Sequence, residues 1–303
     1  MKILIIGYGS IGKRHADILK YQLNAGEVEL VTSRNIDDYK TYKSIDEINN
    51  LREFDYFIIS NETYMHYDCL KFLENKVNDK KILVEKPLFY KNEELNICNN
   101  KVIVGYNLRF HPVIQNIKRE LKQEVPVYAN IIAGSYLPQW RPGSDYRQSY
   151  SAIKEKGGGV LLDLSHEIDY LQWLFGKISD LSSINQKCSK LEINTDDIAS
   201  VIGFTEKRVI FNFSVDYISK IKIRQILVHT GNKTILGDLI SNTLIVSNSN
   251  GETEKIITPD IERNYTYTQM HSAFMRDDYS CLCTYTQAKD VMQVIDLIRK
   301  KSM

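Results

Sequence analysis

Apolar residues in the first third of the chain come in short runs separated by polar, helix-compatible stretches. The first run is Ile3-Leu4-Ile5-Ile6, and others lie at 28–32, 55–59, 81–84 and 102–106. Runs of that length that are apolar on both faces predict strands buried on both sides of a sheet. Residues 13–20, 64–73 and 113–121 carry helical character. Strands alternating with helices predict a doubly wound parallel sheet. From about Pro126 the rhythm changes. Stretches 127–132, 198–203, 209–215, 223–229 and 234–239 read as strands without regular helical crossovers, which predicts a largely antiparallel sheet. Two helices interrupt it, at 161–175, ended by Gly176, and at 284–300. The expected division is a first domain over 1–122 and a second over 123–303.

The first strand runs directly into Gly7-Tyr8-Gly9-Ser10-Ile11-Gly12 and then into a helix. In a G-x-G-x-x-G turn the first glycine permits the tight bend and the second lets backbone N–H groups approach a pyrophosphate. The third lets the helix pack on the strand, and the anion then sits at the positive helix N-terminus. A dinucleotide is therefore the expected ligand, held by Gly7, Gly9, Ser10, Ile11 and Gly12. An acidic residue about 20 positions on holds the ribose 2′-hydroxyl in NAD-binding units. Here Ser33 stands 21 residues after Gly12, and Arg34 follows it. A hydroxyl followed by a guanidinium suits a 2′-phosphate, so NADP is expected in preference to NAD. Ser60, Asn61 and His66 lie just past the third apolar run, where ligands bind in open parallel sheets. They complete the expected cofactor set together with Glu85 and Lys86.

Composition narrows the class. The chain has 303 residues, 43% hydrophobic and 25% charged, with a net charge of +1. That near-neutral balance gives no case for nucleic acid or an anionic membrane surface. No apolar run reaches the 18 or so residues of a membrane span, and the N-terminus already reads as a core strand. Cys69, Cys98, Cys188, Cys281 and Cys283 match neither a zinc site nor a disulfide frame, so no metal is expected and a reducing cytoplasm is the expected compartment.

Three places carry groups able to do chemistry. Lys86, between Glu85 and Pro87 at the end of a strand, is placed to polarise a substrate oxygen, and its bond to Pro87 is a candidate cis bond. Asp163 and His166 follow Gly157-Gly158-Gly159, three apart, on one face of the expected helix. An imidazole exchanges a proton with a hydroxyl while a carboxylate orients it. The segment 136–156 has no hydrophobic period and holds Trp140, Arg141, Tyr146, Arg147 and Tyr150, which predicts a loop covering substrate. Asn107, Arg109, Arg141 and Arg147 are the expected substrate contacts with Trp140, Lys86, Asp163 and His166. Arginines there favour an anionic substrate, although ion pairs with Asp145, Glu155 or other acids fit them equally.

The order GYGSIG, then EKP at 85–87, GYNLRFHP at 105–112 and GGGVLLDLSHEID at 157–169 resembles the glucose–fructose oxidoreductase/inositol 2-dehydrogenase family, over nearly the whole chain. The resemblance implies an α/β fold: an N-terminal Rossmann doubly wound parallel sheet, then an α+β domain with a large, mostly antiparallel open sheet. It implies a nicotinamide-dependent enzyme acting on a sugar or sugar derivative, and assembly into a homodimer or homotetramer. The family's EKP lysine falls on Lys86, and its helix-borne Asp and His fall on Asp163 and His166. The family usually places the His four residues after the Asp. Here the spacing is three, which leaves Glu167 as an alternative acid/base. A nucleotide-linked sugar or sugar acid of surface-polysaccharide synthesis is the expected substrate. A cofactor-binding sensor or co-repressor, and an enzyme acting on a non-sugar ring, are alternatives on the same fold.

Overall fold

The computed structural model describes residues 1–258 and 261–302. The chain begins with β1 (Lys2–Ile6), α1 (Ser10–Asp17), β2 (Glu27–Val31), β3 (Lys40–Tyr42), β4 (Tyr56–Ile59), α2 (His66–Lys76), β5 (Lys81–Val84) and β6 (Lys101–Val104). Next come α3 (Pro112–Glu120), β7 (Pro126–Gly134), α4 (Val160–Asp163) and α5 (His166–Phe175). Seven strands come after them: β8 (Ile178–Gln186), β9 (Ile198–Thr205), β10 (Ile210–Asp216), β11 (Ile223–Thr230), β12 (Lys233–Asp238), β13 (Thr243–Asn248) and β14 (Thr253–Ile257). The chain closes with α6 (Tyr265–Met275), β15 (Cys283–Thr284) and α7 (Tyr285–Lys301). Two compact units result, one of Met1–Phe110 with Glu262–Met292 and one of His111–Ile261 with Gln293–Met303.

The first unit holds a seven-stranded sheet in the order β15-β6-β5-β4-β1-β2-β3. All its pairs are parallel except β15 with β6. The doubly wound sheet is thus as the pattern predicts. Ile3 to Ile5 and Tyr56 to Ile59 are fully buried, so both faces of the central strands are covered. Part of that cover comes from α6, whose Met270, Ala273 and Phe274 join Ile3, Ile5, Ile58 and Leu83 in one core cluster. The Lys81 ammonium donates to the carbonyls of Phe274 (2.7 Å) and Met275 (2.9 Å), closing the C-terminus of α6 with a cation.

The second unit holds an eight-stranded sheet in the order β14-β13-β12-β11-β7-β10-β9-β8. Among the described strands of this sheet, only β7 with β10 is a parallel pair. Its residues alternate as a half-covered sheet requires. Ile131, Phe213, Val201 and Ile226 are buried on one face, where α3 lies so close to Gly237 that a Cβ there would meet Val113 Cγ1 at 2.7 Å. The cross-strand row Leu236, Leu227, Asn130, Asn212, Ile202 lies on the other face, with Ile202 exposed. The start of α3 is fixed by Pro112 and by the amide of Val113 donating to His111 Nδ1 (3.2 Å). Burial and the nearby Arg224 guanidinium push the His111 imidazole down to about 4.

One element departs from the sequence pattern. The single helix expected over 161–175 is two, α4 and α5, separated at Leu164 (φ −102, ψ 33) and Ser165. The apolar spacing continues through the break, so periodicity does not reveal it. Asp163 ends one helix and His166 begins the next. They do not share a face of one continuous helix.

Candidate active site

The glycine turn after β1 is built for two different purposes. Gly7 sits at φ +96, and a Cβ there would lie 2.5 Å from the Asn61 amide nitrogen. A Cβ on Gly12 would lie 2.1 Å from the Gly7 carbonyl oxygen. The fold itself demands both glycines. Gly9 has an ordinary φ of −77, and no atom of the described residues lies within 4 Å of its would-be Cβ. Among the described residues no side chain caps the first turn of α1, whose amides include those of Ser10 and Ile11. An open backbone face beside uncapped first-turn amides fits a pyrophosphate. Nearby, the Ser60 hydroxyl donates to the Gly7 carbonyl (2.9 Å), and Asn61 Oδ1 is buried with no hydrogen-bond partner among the described residues. A buried acceptor left without a donor fits a ligand that brings one. The residues present thus fit a bound dinucleotide.

Ser33 and Arg34 follow β2 and are exposed. The Arg34 amide donates to Thr32 Oγ1 (3.2 Å). Lys43, which the sequence pattern does not single out, reaches this turn: its ammonium donates to the Ser33 carbonyl (3.1 Å) and to Asn35 Oδ1 (2.6 Å).

Lys86 follows β5, half-buried, at the carboxyl edge of the first unit's sheet, and the Lys86–Pro87 bond is cis. The turn around it is held from two sides. His66, 1% exposed, has ring nitrogens 3.1 Å from the Pro87 carbonyl, 3.2 Å from that of Leu88 and 3.2 Å from that of Asn61. Burial pushes the His66 imidazole down. Glu85 Oε2 accepts the Lys86 amide at 3.2 Å, and Oε1 lies 2.9 Å from His15 Nε2. Beyond it, His15 Nδ1 is 2.8 Å from His271 Nε2, and His271 Nδ1 is 2.8 Å from the Tyr56 hydroxyl. One proton order satisfies the whole buried chain: Tyr56 donates to His271, His271 to His15, and His15 to Glu85. Glu85 and His66, expected against the cofactor, are thus both tied to their own unit's backbone and core.

In the second unit Asp163 is 4% exposed and His166 is 8% exposed. The Tyr217 hydroxyl donates to Asp163 Oδ2 at 2.6 Å. Tyr150 is a second phenol beside Asp163, whose carboxylate, together with burial, pushes the Tyr150 hydroxyl up. These tyrosines bring in the 136–156 segment: Trp140 packs edge-on against Tyr217, its indole donating to the Ser135 carbonyl (3.3 Å), and the Arg141 guanidinium lies over the Tyr150 ring. The glycines before α4 allow close approach. Gly159 has φ +119, and a Cβ there would lie 2.5 Å from Asp196 Oδ1.

Other expected contacts are used differently. Arg109 is 2% exposed, and its guanidinium donates to the Leu282 carbonyl (3.0 Å) and Gln287 Oε1 (2.8 Å), which makes it a tie within the first unit. Asn107 donates to Thr266 Oγ1 (2.6 Å) there. Arg147 is held by Asp145 (2.9 Å) and Glu192 (3.1 Å), the ion-pair alternative for this residue. Glu167 is fully buried, accepting from Arg224 Nε (2.8 Å) and from the Tyr170 hydroxyl (3.4 Å).

Fold and turn together define a dinucleotide-binding protein. Residues 1–101 match the family model for the oxidoreductase family with an NAD-binding Rossmann fold, and residues 131–235 match that for the GFO/IDH/MocA C-terminal domain. The chain belongs to the GFO/IDH/MocA oxidoreductase family. It is 28% identical over 177 residues to an uncharacterized oxidoreductase of Synechocystis, a match spanning 56% of this chain and 45% of that protein's length. Among solved structures, the fold is similar to a UDP-N-acetylglucosamine 3-dehydrogenase from Acidithiobacillus ferrooxidans (TM-score 0.78, 17% identity, 100% of this chain and 97% of that one). It is also similar to a levoglucosan dehydrogenase in complex with NADH and levoglucosan (TM-score 0.83, 14% identity, 100% and 97%). An oxidoreductase from Agrobacterium radiobacter in complex with NAD+, L-tartaric acid and magnesium gives a TM-score of 0.82 at 15% identity, over 100% and 96% of the two chains.

Proposed function

We propose that the protein transfers a hydride between NADP(H) and a hydroxyl- or keto-bearing carbon of a sugar derivative. The observation that carries this reading is the place of Lys86. It stands one residue past the β5–Glu85 junction, at the same sheet edge as the glycine turn and Ser60-Asn61. A bound nicotinamide supplies the hydride acceptor or donor. The Lys86 ammonium stabilises the substrate oxygen as its charge changes. His166 exchanges the proton of that oxygen, and Asp163, held by Tyr217, orients the imidazole or contacts the substrate. The burial of Glu167 against Arg224 supports His166 over Glu167 as the acid/base.

The preference for NADP is supported by Ser33-Arg34, which stand where an NAD-binding unit carries its acidic residue. The sugar class is supported by the structural relatives, one a UDP-N-acetylglucosamine 3-dehydrogenase and another bound to levoglucosan. A nucleotide-linked sugar or sugar acid of surface-polysaccharide synthesis is the finer proposal, with Arg141, exposed and in no ion pair among the described residues, as the arginine to meet an anion. We place the protein in the cytoplasm and propose that two or four copies assemble. Exposed Ile132, Ile184, Ile202 and Ile210 lie on the open sheet face, and a second copy would cover them. Among the described residues no helix is long and apolar enough to cross a membrane.

Steady-state turnover on a panel of nucleotide-linked sugars, sugar acids and free sugars tests this reading. Lys86→Ala and His166→Ala are expected to lower turnover by roughly 10²–10⁴-fold each while cofactor affinity stays near wild type. Variants that turn over like wild type would remove both residues from the chemistry.

A further inference from the structure

Lys43 brings its ammonium against the turn that carries Arg34, where the chain leaves β2 and β3. The strands are parallel neighbours with Val31 opposite Tyr42, and the Thr32 amide donates to the Tyr42 carbonyl (2.8 Å). That register sets Lys43, the first residue past β3, against the turn that follows β2. Its ammonium then reaches the Ser33 carbonyl (3.1 Å) and Asn35 Oδ1 (2.6 Å). Both acceptors are neutral. An ammonium has three donors, so two fix the group in place and one remains for a ligand.

Charge points the same way. Lys2 and Lys40, close by in the sheet, share Glu29 at 3.2 and 3.3 Å. Among the described residues Arg34 and Lys43 form no ion pair, and Ser33, Arg34 and Lys43 are all exposed. Two cations on one turn favour an anion beside them, even with Glu47 accepting the Lys43 amide (2.9 Å) and with Asp37 and Asp38 further along the same loop. A phosphate monoester carries about −1.5 to −2 at neutral pH, close to the sum of the two side chains. A ribose 2′-hydroxyl offers no charge to match them.

We propose that Lys43 is the second cationic arm of a 2′-phosphate site that it forms with Ser33 and Arg34. Discrimination between phosphorylated and unphosphorylated dinucleotide then belongs to the β2–β3 pair, and the turn after β2 does not achieve it alone. The proposal rests on the reading that the protein prefers NADP.

Dissociation constants of the full chain for 2′,5′-ADP, NADP+ and NAD+ test it, measured by calorimetry on wild type, Lys43→Gln, Lys43→Met, Lys43→Arg and Arg34→Ala. Unfolding midpoints show that each variant is folded. Lys43→Gln and Lys43→Met are expected to weaken 2′,5′-ADP and NADP+ by about 10- to 100-fold, the range for a lost charge-assisted contact, with NAD+ within about twofold. Lys43→Arg is expected to keep most of the affinity. Added salt is expected to narrow the gap between wild type and Lys43→Gln for NADP+, because it screens the exposed pair. Equal losses for NADP+ and NAD+ would mean that Lys43 only tethers Ser33, and would overturn the proposal. No loss in the Lys43 variants beside a selective loss in Arg34→Ala would overturn it too, while leaving the NADP preference standing. Wild type that binds NADP+ no more tightly than NAD+ would overturn both.

Discussion

Alanine placed at each glycine of the first turn separates what the fold requires from what the ligand requires. At Gly12 the new methyl would stand 2.1 Å from the Gly7 carbonyl oxygen and 2.9 Å from Ser60 Oγ. The closest atom is backbone, so helix α1 must move away from the turn. Overpacking of this kind costs about 1–3 kcal/mol, and a backbone overlap belongs at the upper end. A loss of about 3 kcal/mol lowers the unfolding midpoint by roughly 6–12 °C in a domain of this size. At Gly9 the backbone is already at φ −77 and the space around the methyl is open. Alanine is a poorer N-cap than glycine by several tenths of a kcal/mol, and it restricts the unfolded chain by about 0.4–1 kcal/mol, so the two effects nearly cancel. Gly9→Ala should therefore melt within about 3 °C of wild type. The same methyl occupies the surface a pyrophosphate must approach, and NADP+ affinity should fall by about 10- to 100-fold. Thermal unfolding and calorimetric binding on the two variants decide the matter. Unchanged binding by Gly9→Ala, or a melting loss equal to that of Gly12→Ala, would refute the assignment of the turn.

Acid should destabilise the second unit through His111. Its imidazole is held down to about 4 from 6.5, so the folded state binds fewer protons than the unfolded chain between those values. The stabilisation is present above pH 6.5 and is lost as the pH falls toward 4, by at most roughly 3 kcal/mol. His111→Asn keeps an acceptor for the Val113 amide and should flatten that stretch of the stability–pH curve. His66 and His271, both pushed down chiefly by burial, act in the same direction and should leave part of the slope in place; a slope unchanged from wild type would exclude His111 as a source. Glu167→Gln should cost about 1.5–3 kcal/mol of stability by weakening the Arg224 contact, while turnover per folded molecule stays near wild type. A fully folded Glu167→Gln protein without turnover would make Glu167 the acid/base.

Local pattern and short motifs made the cofactor half of the molecule legible. Unbroken apolar runs such as 3–6 and 56–59 suit central strands of a covered parallel sheet, and the glycine spacing marks the turn and helix that succeed the first of them. The features that were not legible depend on pairing across the chain. Strand β3 is Lys-Thr-Tyr, too short and polar to signal itself, and its register alone carries Lys43 to Ser33. Strand β8, with Ser182, Ser183, Asn185 and Gln186, lies at the edge of its sheet and lacks a continuous apolar face. The return of residues 262–292 to the first unit rests on α6 burying Phe274 and His271, contacts that span most of the sequence. The break at Leu164 leaves the apolar spacing intact while changing how Asp163 and His166 are carried. Arg109 and Arg147 show why a cation in the right segment does not name a ligand: the first is tied to Leu282 and Gln287, and the second to Asp145 and Glu192.

The central claim is that this chain moves a hydride to or from a sugar carbon, and isotope transfer reads that event directly. The wild-type protein would be incubated with NADPH carrying deuterium at nicotinamide C4 and with oxidised nucleotide-linked sugars and sugar acids. Products would then be analysed by mass spectrometry. One deuterium should appear on a single carbinol carbon, and Lys86→Ala should slow the labelling by roughly 10²–10⁴-fold while binding NADPH as wild type does. Tight NADPH binding with no label in any product of a panel that also includes oxidised free sugars would contradict the claim and make the protein a cofactor-binding sensor.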